Sequence, residues 1–465
     1  MKRLYIISVI LCLTLAEKTI CQTSQNHSIP HATTFYWSFE NRTQLLDRTH
    51  SYGDEYYDRG FRAVITPYTP REYVLDMYTY EYPFTDSYIW DKNLEGLRVN
   101  FGSYTKSELA VYNLLNKNIK LTNSSAINLT SVLQQDGRAN RAFFEIRYNY
   151  TLLDKHTLSL SHTLTDQKQD LDLTLGYTYS DNSWGNFQLD ITYQNYINNI
   201  VHQVGNDQGR RWQDFNDDIY KNMPLFIFTR YYSSPDRFWY LDISAGYQPE
   251  IKLEKKIFKE PEFLIEQSET IYFFNSSLSF QVWKTVLGGF IYHDHSDLSR
   301  SSPAKNPIDG FYDSNQKLSK AGIFGYLFLG RFQPHLRLSF EEYSDLQNGT
   351  DFNYSSIPEL IDYKEQRVLF DIGSSFEIIK EKLSVLARYL SLDRNLVTDD
   401  QRIYSRHFRI EPYDDTDKRI ALSFQITPGR NFFFELGASY DVDKDIRGSR
   451  KHLFDKGFGK LSIRF

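Results

Sequence analysis

The chain has 465 residues, with 59 acidic against 53 basic side chains and a net charge of −6. With no basic cluster, that balance argues against nucleic-acid binding. Both cysteines, Cys12 and Cys21, fall in the first 22 residues, so nothing downstream can form a disulfide or a cysteine-ligated metal centre.

Residues 1–22 begin with Lys2 and Arg3, continue through an apolar run from Leu4 to Ala16 and end on a short polar stretch at Gln22. This pattern predicts a cleaved secretory signal peptide, because the run is too short to span a bilayer. Its removal takes away Lys2, Arg3, Lys18 and Glu17 and moves the net charge from −6 to −8. Lipidation at Cys21 is the alternative, although Lys18, Thr19 and Ile20 make a poor lipobox. Beyond this point no apolar stretch of about 18 residues occurs, and the mean hydropathy is −0.52. A helical membrane protein is thereby excluded, but not one that crosses with strands whose alternate residues face water.

Residues 23–92 show no strand periodicity. They contain Pro67, Pro70 and Pro83 among many tyrosines, as in Tyr52 to Tyr57 and Tyr73 to Tyr82. Disordered tails are ordinarily poorer in aromatics. The segment is therefore expected to be an ordered extension at the periplasmic mouth of the next domain or packed partly inside it.

From residue 93 onward the chain alternates. Leu97, Val99 and Phe101 oppose Arg98, Asn100 and Gly102; Leu171, Leu173, Leu175, Tyr177 and Tyr179 oppose Asp172, Thr174, Gly176 and Thr178. Phe187, Leu189, Ile191 and Tyr193 oppose Gln188, Asp190, Thr192 and Gln194, and the pattern returns at 420–427, 432–443 and 457–465. A period of two sustained this often excludes amphipathic helices. The greasy sides carry several large aromatics per strand, and the 35 Tyr and 34 Phe suit aromatic girdles at two membrane interfaces.

Short turns are predicted at 116–118, 154–156, 181–186, 233–237, 284–285, 331–334, 377–381 and 428–430. Long connections are predicted near 134–140, 203–222, 256–267, 297–316, 346–364, 394–417 and 444–455. One trimmed rim and one elaborated rim is the layout of an up-and-down barrel. Taking the short turns as periplasmic, and adding the strand at 97–102, gives an all-β, transmembrane antiparallel up-and-down barrel over residues 93–465. It should have about 18 strands, with 16 the nearest alternative, the last strand ending in Phe465.

These features together resemble the outer-membrane β-barrel proteins of Gram-negative bacteria as a class: the export signal, the dyad strands from Leu97 to Phe465, the rim asymmetry and the terminal aromatic of LSIRF. The resemblance implies residence in the cell outer membrane, contact with its lipid and recognition by the barrel-assembly machinery, with Phe465 as the assembly signal. TonB-dependent transporters resemble the chain less, because about 70 residues before the barrel are too few for their plug and coupling motif.

Alternation directs Arg98, Glu145, Arg147, Asp172, Asp190, Asp242, Arg337, Glu341, Asp371, Glu377, Glu435, Asp441, Lys460 and Arg464 into the lumen. Such an interior must hold water, ion-pair networks or both. A barrel of 16 to 18 strands is wide enough for an aqueous channel, so a channel or transporter for small hydrophilic solutes is the leading expectation, with the acidic excess favouring cations. The alternative is a non-conducting barrel that binds or scaffolds through large external loops. A rim hydrolase is the third reading. It would use Tyr292-His293-Asp294-His295-Ser296-Asp297, where His293 and His295 share a face, but no nucleophile motif accompanies them. Two acidic loop clusters, Asp214/Asn216/Asp217/Asp218 and Asp414/Asp415/Asp417, offer oxygen ligands without the spacing of a calcium loop. No cofactor, resident metal or enzymatic activity is expected.

Overall fold

The alternating segments form strands that pair with one another into a single closed sheet. The computed structural model describes residues 96–463, apart from 104–108, 137–138, 166–170, 182, 194–215, 234–237, 258–263, 302–310, 351–357, 381, 399–415, 430–431 and 442–453. The expected signal peptide (1–22), the extension (23–92), Arg464 and Phe465 lie outside the described residues. The strands are β1 (Gly96–Ser103), β2 (Leu109–Lys120), β3 (Ser125–Asp136), β4 (Ala139–Leu152), β5 (His156–Thr165), β6 (Leu171–Asp181), β7 (Gly185–Tyr193), β8 (Asn216–Tyr220), β9 (Leu225–Tyr232) and β10 (Trp239–Ile257). They continue as β11 (Leu264–Val282), β12 (Thr285–Ser301), β13 (Phe311–Leu327), β14 (Phe332–Thr350), β15 (Pro358–Ile379), β16 (Leu383–Thr398), β17 (Thr416–Gly429), β18 (Phe432–Asp441) and β19 (Phe454–Ile463).

All pairs are antiparallel. Pairing runs from β1 to β7, passes to β9 and β10, and continues to β19, which returns to β1 through Leu97 opposite Ile463. β8 and β9 lie end to end along β10, so the nineteen strands make eighteen staves of one ring. Ring closure gives every strand except β8, which pairs only with β10 among the described residues, a partner on both sides, the condition a sheet must meet to sit in hydrocarbon.

The break between β8 and β9 has a local cause. Pro224 cannot donate to a ladder, and the facing part of β10 carries a bulge between Gln248 and Ile251 around Pro249. Asn222 fills the gap by donating from Nδ2 to the Glu250 carbonyl at 2.6 Å and accepting the Lys252 N–H on Oδ1 at 2.7 Å. A side-chain amide thus stands in for the missing backbone pair. The extra residue of the bulge also returns Ile251 to the face that Gln248 occupies.

Seven of the eight predicted short turns coincide with junctions between consecutive strands, four of them, 181–186, 233–237, 377–381 and 428–430, partly outside the described residues. The first does not: Asn116, Lys117 and Asn118 are paired inside β2 with Thr130, Leu129 and Asn128. The turn lies at 121–124 instead. There the Thr122 and Ser125 hydroxyls are 2.7 Å apart, and Ser124 N–H donates to Thr122 Oγ1 at 3.3 Å. Polar residues at 116 and 118 were ordinary members of one strand face.

Outward side chains are apolar and bare, as at Leu175 (59 % exposed) and Leu436 (50 % exposed). Trp184, Phe238, Trp283 and Phe332 are exposed beside the short turns, the position of an interfacial aromatic belt. Replacing Leu436 by Arg should cost about 2 to 4 kcal/mol of membrane stability, whereas Arg at inward Thr427 should cost far less. The fraction of heat-modifiable, folded protein after insertion into vesicles reads the difference.

At the β6–β7 turn, Lys155 Nζ donates to Asp181 Oδ2 at 2.5 Å, and the Ser183 and Trp184 N–H groups donate to Oδ1. Lys155, followed by those two N–H groups, holds the Asp181 carboxyl down at about 2, below its ordinary 3.8. A depressed acid stabilises fully above its unfolded value, and that stabilisation is lost as pH falls through the folded one. The protection of the turn amides relative to intrinsic exchange at each pH should therefore fall between about pH 4 and pH 2, and Asp181→Asn should abolish that fall.

Candidate functional site: the inward face of the ring

Strand parity selects the inward side chains, and the ring brings residues distant in sequence within bonding reach. Arg147 on β4 donates from Nε to Glu145 Oε1 at 3.0 Å and from Nη2 to Asp190 Oδ2 on β7 at 3.0 Å. Its Nη1 lies 3.4 Å from Ser159 Oγ on β5, and Gln188 donates to Asp190 at 2.7 Å. This contact crosses four staves because the intervening inward residue of β6 is Gly176. A Cβ there would stand 2.2 Å from Ser159 Oγ and 2.5 Å from Asp190 Oδ1.

The same device recurs across the ring. Asp371 on β15 accepts from Arg388 Nε at 3.2 Å and from Arg388 Nη2, while His335 Nε2 on β14 lies 3.5 Å from Asp371 Oδ1. Gly373 separates them, and a Cβ on it would lie 2.6 Å from both His335 Cε1 and the Ala387 carbonyl. A third pair joins Arg230 to Asp242 in fork geometry, at 3.0 Å and 2.6 Å. Such bidentate contacts are stronger and more directional than single ones. Glu435 is fully buried and accepts from Ser423 Oγ at 2.6 Å.

Of the residues predicted to line the lumen, Glu145, Arg147, Asp190, Asp242, Asp371 and Glu435 lie buried or nearly so on the inward face. Arg337 and Glu377 are half-buried, with the Arg337 guanidinium 4.9 Å from the Phe290 ring centre. Register pairs Arg98 with Ser462, Asp172 with Thr163, Glu341 with Lys320 and Arg367, Asp441 with Arg419, and Lys460 with Glu435.

Inward residues absent from the sequence reading include Arg230, His335 and Arg388, and by register Lys320, Arg367 and Arg419. Each has the parity of its acidic partner's neighbours, which was the available signal. Once Arg230 and Arg388 join the set, Asp190, Asp242 and Asp371 each have their own arginine, and the acidic excess of the wall shrinks accordingly.

The inward face is also less uniformly polar than expected. Between β9 and β13 it carries Phe226, Phe228, Tyr240, Phe273, Phe290, Tyr292 and Tyr326, all buried. Three rings lie over glycines directly opposite: Phe273 over Gly246, Phe324 over Gly288 and Phe290 over Gly322. The wall is therefore two-sided, with an aromatic arc against arcs of arginine–carboxylate pairs. Composition alone had assigned the aromatics to lipid.

The rim candidates separate. His293 and His295 do share an outward face, but His293 Nδ1 lies 3.0 Å from Ser319 Oγ, while His295 Nε2 lies 2.5 Å from Asp297 Oδ2 and its ring packs 4.7 Å from Tyr272. Serine and acid thus meet different imidazoles, not a shared one as an acid-oriented base requires. The first acidic cluster is not a loop: Asn216, Asp217 and Asp218 lie in β8, with Asp217 opposite Lys256 and Asp218 opposite Lys255. Asp417 lies in β17 opposite Leu392; Asp214, Asp414 and Asp415 lie outside the described residues. No group of three metal-binding side chains occurs among the described residues.

No family model and no curated protein sequence matches the chain. Among solved structures, it is similar to OmpT, an outer membrane protein of Vibrio cholerae (9 % identity, TM-score 0.37, covering 80 % of this chain and 96 % of that one). It is also similar to CdiB from Acinetobacter baumannii (9 %, 0.40, 80 % and 59 %) and to the FrpB iron transporter from Neisseria meningitidis (10 %, 0.38, 80 % and 74 %). These likenesses are weak, and the chain's architecture rests on its own closed ring, bare apolar exterior and polar inner networks: it is a β-barrel of membrane-spanning design.

Removing Arg147 would leave Glu145 and Asp190 as buried, uncompensated charges. Arg147→Ala should cost about 3 to 5 kcal/mol in denaturant unfolding of the membrane-inserted protein. Adding Glu145→Gln and Asp190→Asn should recover much of that loss, because the neutral wall no longer holds unpaired charge.

Proposed function

We propose that the barrel provides a passage for small hydrophilic solutes across the outer membrane. The observation that supports this most is a ring of eighteen staves whose inward face holds the fork-shaped pairs of Arg147, Arg230 and Arg388. Eight staves would be filled by their own side chains, whereas about 16 to 18 leave room for water. Fixed opposite charges along such a path present both signs to a solute, which suits polar or zwitterionic molecules better than bare ions. Cation preference from the wall is modest, because its buried aspartates are paired.

Single-channel recording in planar bilayers tests the proposal. The expected result is a stable conductance, either from the whole chain or from one lacking residues 23–92. Replacing Arg147 and Arg388 together by Gln should raise cation preference at low salt, by exposing the field of Glu145, Asp190 and Asp371. That shift should fade at 1 M salt, where the screening length is about 3 Å. Silence from both forms would overturn the passage and leave a barrel that acts through its external loops.

A further inference from the structure

Two of the arginine–carboxylate pairs on the inner wall share one orientation. Side-chain exposure is 13 % at Arg147 against 5 % at Glu145 and 7 % at Asp190, and 16 % at Arg230 against 4 % at Asp242. The order has a simple cause. An aspartate carboxyl is bonded directly to Cβ and stays against the sheet, whereas an arginine carries its guanidinium on a long stem that stands up from it. On an inward residue the sheet itself closes the lipid side, so the exposure that remains is toward the lumen. Both pairs therefore turn their positive ends to the lumen and their negative ends to the wall. Across the ring the depth order is the same: Asp371 is buried, with Arg388 and His335 converging on it, and half-buried Arg337 stands directly opposite in register. Glu435 is fully buried as well. Among the inward carboxylates whose side chains are described, only Glu377, beside the β15–β16 turn, is half-buried.

Counting charges along the wall favours cations, and depth reverses that sign. We infer that the wall recognises the negative end of its solutes, a carboxylate or phosphate group, through the lumen-facing guanidinium groups of Arg147 and Arg230. The two are neighbours in the ring. Arg147 is bound to Asp190 on β7, Gln188 stands two residues away on the same inward row and donates to Asp190, and Arg230 on β9 lies opposite Gln188. Three donor side chains thus share one inward patch next to the short-turn rim, while Asp190 and Asp242 are buried behind them. The Arg230 guanidinium also lies 5.1 Å from the centre of the Tyr232 ring, a cation–π contact that holds it without placing a second carboxylate on it. A planar guanidinium offers paired N–H donors that match carboxylate and phosphate oxygens. Its buried partner fixes it in advance, so little ordering is lost when the solute arrives. In the passage proposed above, anions and the anionic ends of zwitterions are then favoured over cations. That consequence rests on the conducting reading, whereas the recognition itself is measured without current.

Replacing a pair as a unit separates orientation from net charge. Arg230→Gln with Asp242→Asn leaves the total charge unchanged and strands no buried ion, so the barrel should stay folded, which heat-modifiability verifies. Saturation-transfer NMR of succinate against the whole chain in neutral-detergent micelles, with putrescine as the cationic counterpart, reads the recognition directly. Succinate should bind the unaltered barrel more tightly than putrescine does, and the paired substitution should weaken succinate about fivefold, as loss of a charge-assisted contact at a wet surface requires. Arg147→Gln with Glu145→Gln and Asp190→Asn makes the wall less negative, yet it should weaken succinate by a similar factor. In planar bilayers with unequal KCl on the two sides, the reversal potential should show chloride preference and move toward potassium in the Arg230/Asp242 variant. Failure of succinate to bind, or equal binding by the unaltered barrel and both variants, would overturn the inference. A potassium-preferring current from the unaltered barrel would overturn it too, while leaving the passage itself standing. Succinate binding by a barrel that passes no current would sustain the recognition and overturn only the passage.

Discussion

Backbone hydrogen bonding in hydrocarbon is the constraint on which this molecule depends. An unpaired peptide group facing lipid costs several kcal/mol, so a strand protein can enter the membrane only as a closed ring. The pairing of β1 with β19 is therefore the contact that makes the other staves admissible. The same demand explains the repair at the β8–β9 break, where Asn222 supplies with its side chain the donor and acceptor that the backbone around Pro224 and Pro249 does not.

Closure then fixes what each side chain meets. Once register is set, parity leaves no freedom: Leu436 faces outward because Glu435 faces inward, and a slip of one residue would exchange the whole set. Inward charges are tolerated because ring geometry brings opposite signs together across several staves. Arg147 reaches Asp190 over Gly176, and Arg388 with His335 converges on Asp371 around Gly373. At these places glycine is a spacer, and the missing Cβ is where the guanidinium or imidazole passes. Over Gly246, Gly288 and Gly322 the vacated volume is filled by a phenyl ring instead, which covers backbone that would otherwise be thinly packed.

The two uses of glycine divide the inner wall into a polar part and an aromatic part. A purely hydrated pore has little reason to lay phenyl rings on its wall, and a purely packed core has little reason to keep forked arginine pairs. The inner wall of this ring carries both.

Much of this was legible in the sequence, because a period of two is a local property and survives without knowledge of partners. Alternation gave β6, β7, β17 and β18 their faces, and the spacing of turns gave the number of staves. Local signals misled where a strand residue resembles a turn residue, as at Asn116 and Asn118, or where a strand resembles an acidic loop, as at Asn216 to Asp218. What the sequence by itself determined was the class of fold and which residues of a strand stand together. Only the tertiary structure decided which strands' residues meet: that Arg230 and Arg388 neutralise Asp242 and Asp371, that phenyl rings settle on glycines, and that one arc of the interior is aromatic. Those facts depend on register between segments roughly one to four tens of residues apart, and no local pattern in the chain encodes them.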